Sequence, residues 1–148
     1  MSHELIDVAL SQKGIKEVKG KFKHNKHIVD YFHEIGHDWV NDDETPWCSA
    51  FLNWVCMKAG YERTNKLNAR SWLDIGILVG NQPKQGDIVI LWRGNKTGAF
   101  GHVGFFMSQD KENVYILGGN QSDKVCIKPY SNDRILGFRR LSKVDENG

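Results

Sequence analysis

The chain has 148 residues, a formal net charge of +2, 40% hydrophobic and 26% charged residues; this is the composition of one soluble globular domain over 1–148, not of a disordered or fibrous chain. No run approaches the about 18 consecutive apolar residues of a membrane span, and so small a charge argues against nucleic-acid binding. The start, Met1-Ser2-His3-Glu4, shows no secretory leader, so synthesis in the cytoplasm is expected, with Cys48, Cys56 and Cys126 as free thiols.

In chain order, Leu5, Ile6, Ala9 and Leu10 recur at helical spacing before Gly14. Lys16, Lys19, Lys21, Lys23 and Lys26 form a basic stretch that reads as a solvated loop. Ile28, Val29, Phe32 and Ile35 predict a second helix, closing at Gly36. Thr45 and Pro46 predict the cap and first position of a third, which runs through Ala59 and stops at Gly60. A short helix is expected over 69–75. Five strands follow, at 87–92, 102–108, 113–117, 124–128 and 135–141, as an antiparallel meander, and 143–148 reads as a flexible tail. Helices first and strands after predict an α+β fold with the helices on one face of the sheet.

The third helix carries the chemistry. Cys48, Phe51, Leu52, Val55, Cys56 and Ala59 share one stripe. Cys56 falls mid-helix among apolar neighbours, where a thiol is inert. Cys48 falls in the first turn, where free amide N–H groups and the helix dipole favour a thiolate nucleophile. Of the six histidines, His102 alone sits where a Gly-rich loop (93–101) meets an apolar strand, the place for a base at a cleft. The next strand ends in Gly118-Gly119-Asn120-Gln121 at the same sheet edge. Asn120, or otherwise Gln121 or Asp123, is expected there. Its side-chain oxygen would accept the imidazole Nδ1–H and leave Nε2 facing the thiol.

A competing motif is His33-Glu34-Ile35-Gly36-His37, which has the HExxH pattern of zinc hydrolases. Gly36 inside it weakens the helix that this geometry needs, and no extension supplies a third ligand. No metal and no cofactor is therefore expected.

Asp42-Asp43-Glu44-Thr45-Pro46-Trp47-Cys48-Ser49-Ala50-Phe51, Gln85-Gly86-Asp87, Gly101-His102-Val103-Gly104 and Gly118-Gly119-Asn120-Gln121 resemble, in order, the small CHAP-like and NlpC-type cysteine amidohydrolases of phage lysins and cell-wall-degrading effectors. The resemblance implies a papain-like core and cleavage of peptidoglycan peptides, with endopeptidase action favoured over amidase. It implies Cys48 as nucleophile, His102 as base and Asn120 as orienter. Trp47, Asp43, Glu44 and Gln121 are expected to contact substrate, although the acidic run also suits a helix N-terminus electrostatically. The resemblance further suggests a monomer acting on the wall after phage-type release or secretion-system delivery, with an immunity protein as partner if it is an effector. A non-catalytic wall-binding module on the same fold is the alternative from another class.

Overall fold

Apolar residues at helical spacing build α1 (His3–Leu10), α2 (Lys26–Glu34) and α3 (Cys48–Ala59) in a computed structural model that describes residues 3–18, 24–40 and 46–144. The side chain of Asn25 caps α2 by accepting from the His27 N–H. The Thr45 cap and part of the basic stretch and tail lie outside the described residues. α3 begins at Cys48, two residues beyond Pro46, with Trp47 at the cap position and no side-chain capping bond. It ends on Gly60, whose φ of 78° is the left-handed conformation glycine adopts without penalty. The predicted short helix is a 3₁₀ segment, Ala69–Asp74. Among the described residues no helix is long and apolar enough to cross a membrane.

The α+β class expected from the sequence is the observed one. Among the described residues the sheet has six strands rather than five: β1 (Ile77–Val79), β2 (Ile88–Trp92), β3 (Gly101–Gln109), β4 (Asn113–Gln121), β5 (Lys124–Ser131) and β6 (Ile135–Arg140), in the order β1-β6-β2-β3-β4-β5. β1 escaped notice because it is a three-residue edge strand with Ile77 and Leu78 exposed, so burial imposes no alternation. The expected meander holds only through β5; β6 crosses back to pair with β2 and β1. A flat sheet would separate β5 from β6 by about 19 Å, four strand spacings. The 3₁₀ turn Asn132–Arg134 that joins them is too short to bridge that in its coiled form. The sheet must therefore curl on itself.

Curling gives the sheet two apolar faces. Ile88, Ile90, Val103, Phe105 and Leu117 pack with Phe51, Leu52 and Val55 of α3 on the helix side. Val89, Leu91, Phe106, Val114, Ile116 and Phe138 form a second apolar cluster, separate from the helix side. Asp87, buried at the start of β2, accepts from Arg140 Nε and Nη2 at 2.8 Å each and pins β6 in place. α3 is polar on its third side: Ser49 Oγ and Asn53 Nδ2 donate to the Lys66 carbonyl, and Trp72 Nε1 donates to Ser49 Oγ. These bonds leave little of the nucleophile helix free to move.

Candidate active site

The site lies where β3 and β4 part company. Their pairing begins only at Phe105↔Leu117, so the first four residues of β3 have no partner on β4. The first turn of α3 faces that opening. The sulfur of Cys48 meets the backbone N–H groups of Val103, Ser49 and its own residue, with Arg93 within electrostatic reach. All of these favour the thiolate. Cys48 is nevertheless only 7% exposed, and burial outweighs them, pushing its pKa above the ordinary thiol value. The sequence-based expectation of a lowered Cys48 pKa is thus overturned: the resting group is a thiol. Cys56, fully buried in the middle of α3, is also pushed up by burial.

His102 is the second residue of β3 and is 5% exposed. Its Nε2 lies 2.8 Å from Gln121 Oε1. Gln121 Nε2 donates to the carbonyls of Ile116 and Cys126, which leaves only its oxygen for the imidazole. His102 must therefore carry its proton on Nε2, and Nδ1 is the nitrogen left to take a proton from the thiol. This reverses the expected tautomer. Burial, then the charges of Arg93, Arg134 and Lys128, push the His102 pKa down to about 4 despite the bond to Gln121. Tyr130 completes the surround, its ring stacked on the imidazole at a centroid distance of 5.1 Å and its hydroxyl 3.3 Å from Nε2.

The residue hydrogen-bonded to His102 is Gln121, not Asn120. The cause is local. Asn120 has a φ of +57°, in a stretch where the β4–β5 register shifts between Gly118 and Gln121. Such an irregularity reverses the alternation of side chains, so the next residue turns inward. Two glycines make room. A Cβ at Gly118 would stand 2.8 Å from Gln121 Oε1, and one at Gly119 would stand 2.7 Å from two ring atoms of Trp47.

Trp47 does not line a cleft. It is fully buried, donates from Nε1 to Glu17 Oε1 at 2.8 Å, and packs on Tyr31. Its flat ring is what Gly119 must clear. Asp43 and Glu44 lie outside the described residues. Cys126 is half-buried, with Sγ 3.4 Å from the Gln121 carbonyl. Arg93, Lys128, Tyr130 and Arg134 were not anticipated; they line a cavity of about 280 Å³ with His102, Asn120 and Gln121. Only the register of the curled sheet brings them together.

The HExxH residues are spent elsewhere. α2 ends at Glu34, and Gly36 has a φ of +96°, so His33 and His37 are not on successive turns of one helix. His33 Nε2 bonds the Val40 carbonyl and His37 Nε2 the Asn65 carbonyl. Glu34 accepts from Trp54 and Lys58. Among the described residues no group of three or more His, Cys, Asp or Glu is placed to hold a metal ion.

The CHAP domain family model matches residues 40–120, which carry Cys48, His102 and the β4 turn. Among solved structures the chain is similar to a lipoprotein-like NLP/P60 family protein from Staphylococcus aureus subsp. aureus Mu50, at 20% identity and a TM-score of 0.55. It is also similar to an NlpC/P60 family protein from Bacillus cereus ATCC 10987, at 15% identity and a TM-score of 0.61. The alignments cover 94% and 95% of this chain but 40% of each of those chains. The likeness is one of fold. No curated protein matches the chain.

Proposed function

The chain belongs to the CHAP domain family, and on that premise we propose that it is a thiol-dependent peptidoglycan hydrolase that cuts an amide bond of the stem peptide or cross-link. The observation that carries this reading is the buried His102–Gln121 pair set at the sheet opening next in sequence to Val103, whose N–H meets the Cys48 sulfur. An imidazole held in one tautomer next to a thiol is the apparatus of acyl transfer.

The mechanism follows from the protonation states. Thiol and imidazole are both neutral at rest. His102 Nδ1 takes the Cys48 proton as the sulfur attacks the substrate carbonyl, and the imidazolium forms only when charge moves to the substrate. The oxyanion is held by the Cys48 backbone N–H. The proton then passes from Nδ1 to the leaving amine, the C–N bond breaks, and water hydrolyses the thioester. Gln121 keeps Nε2–H in place throughout. The substrate places the action of the protein at the cell wall, and endopeptidase cleavage is the favoured outcome.

Digestion of purified peptidoglycan, followed by mass spectrometry of the products, tests the proposal. New peptide ends are expected; stem peptides freed from the sugar would mean an amidase, and intact peptidoglycan would overturn the reading. Cys48→Ala and His102→Ala are expected to abolish cleavage with the fold intact, while Cys56→Ala keeps it.

A further inference from the structure

The cavity behind His102 is cationic. Arg93, Lys128 and Arg134 line it, against Asp123 as the single carboxylate among the described residues. Lys128 Nζ and Arg134 Cζ stand 5.7 and 5.5 Å from the centroid of the Tyr130 ring, and that ring stacks on His102. Two of the cations have protein partners: Arg134 Nε donates to the Trp92 carbonyl and Lys128 Nζ to Ser122 Oγ. Arg93 is exposed and, among the described residues, its guanidinium makes no hydrogen bond or ion pair. It lies within electrostatic reach of Cys48, His102 and Tyr130 alike. A planar fork of donors with no protein acceptor, in a polar cavity beside the reacting groups, suits a carboxylate.

The position of the cavity says which part of the substrate it takes. His102 lines it and Cys48 does not. The sulfur keeps the acyl half and Nδ1, on the sulfur side of the imidazole, protonates the departing nitrogen, so the residue which that nitrogen carries extends past His102, away from the sulfur and toward the cavity on the Nε2 side. The cavity therefore lies on the amine side of the bond.

We propose that Arg93, assisted by Lys128 and Arg134, is a specificity-determining residue that binds a free carboxylate on the amine-side residue of the scissile amide. The inference rests on the hydrolase reading above and narrows its substrate class to amides whose leaving residue is anionic.

The test uses two synthetic peptides built around the bond identified by product mass spectrometry. They are identical except that the amine-side residue carries a free carboxylate in one and a carboxamide in the other. The protein is expected to prefer the acid by roughly 10- to 100-fold in kcat/KM, the range for a charge-assisted hydrogen bond. Arg93→Gln should bring the two peptides within about two-fold of each other, and Arg93→Lys should restore part of the preference. The Arg93 side chain is exposed and, among the described residues, makes no hydrogen bond or ion pair, so both variants keep the fold. Equal cleavage of acid and amide by the unaltered protein overturns the proposal. So does a scissile bond whose amine-side residue has no carboxylate, or an Arg93→Gln defect seen on intact walls but not on the peptides, which would assign the cavity to a wall polyanion. In each of those cases peptidoglycan is still cut and the hydrolase reading stands. Failure to cut peptidoglycan at all removes both.

Discussion

Gln121 Oε1 accepts from His102 Nε2–H at 2.8 Å while both protons of the same carboxamide go to backbone carbonyls, of Ile116 and Cys126. The amide cannot flip without losing three bonds, so the imidazole cannot change tautomer without losing its partner. Gln121→Ala is therefore expected to lower kcat by roughly 10- to 100-fold, the range for a group that orients a functional histidine, with little change in KM. Nitrogen NMR of His102 is the second readout: one tautomer in the unaltered protein, a mixture in the variant. A single tautomer in both would assign Gln121 a purely structural role.

The pH profile should be displaced toward acid. The base must be neutral, and burial with the charges of Arg93, Arg134 and Lys128 holds the His102 pKa at about 4, against the lift from Gln121; Tyr130 stacks on the same ring as a phenol, its own pKa pushed up by burial. The acid limb of kcat/KM is expected near that value rather than near the about 6.5 of a free histidine. Stability has a matching sign. Between about 4 and about 6.5 the unfolded chain binds a proton that folded His102 does not. The contribution is complete above about 6.5 and is lost as pH falls toward 4, up to about 3 kcal/mol. Urea melts of the protein and of His102→Gln across that interval should converge at the acid end.

Two adjacent glycines are expected to fail differently. In Gly118→Ala the new methyl meets Gln121 Oε1 at 2.8 Å and displaces the carboxamide from His102, so kcat falls, while the stability lost is that of the displaced hydrogen bonds and less than in Gly119→Ala. In Gly119→Ala it meets the Trp47 ring and Phe51 Cβ at 2.7 to 2.8 Å, so stability falls by about 1–3 kcal/mol, as for an overpacked core. Comparing thermal melts with turnover separates the two. Equal loss of stability would overturn the assignment of Gly118 to the site.

Asp87→Ala should destabilise the fold by about 2 kcal/mol, leaving the exposed side of Arg140 to water and removing three charge-assisted bonds, two from Arg140 and one from the Lys84 N–H. The folded fraction should keep its kcat, because Asp87 lies at the far end of β2 from Trp92 and the site.

Chelation should be without effect on hydrolysis, since the HExxH side chains are committed to carbonyls and to Trp54 and Lys58. His33→Ala is expected to cost stability alone. Loss of activity on chelation, restored by zinc, would reopen the metal reading.

The elements were legible wherever periodicity is enforced by burial. α2, α3 and β2 to β6 sit close to where Phe32, Phe51 and the apolar strand runs place them. Cys48 and His102 could be singled out because each stands at the end of an element. Gln121 was harder, because choosing between it and Asn120 requires the φ of one residue, and nothing in Gly118-Gly119-Asn120-Gln121 specifies where the strand breaks step. Trp47 was misjudged because an aromatic beside a nucleophile reads alike whether it faces substrate or core. The basic cavity was invisible, since Arg93 follows the end of β2, Lys128 sits within β5 and Arg134 in the turn before β6, and they meet only when the sheet curls.

The opening between β3 and β4 leaves the Val103 amide without a partner on β4 and aimed at the Cys48 sulfur. The nucleophile is thereby wired to a proton that can be watched. Ionisation of the thiol, acylation or alkylation each changes what that single amide sees, so its chemical shift and exchange rate should report the chemical state of Cys48 throughout a turnover, without any label on the sulfur itself.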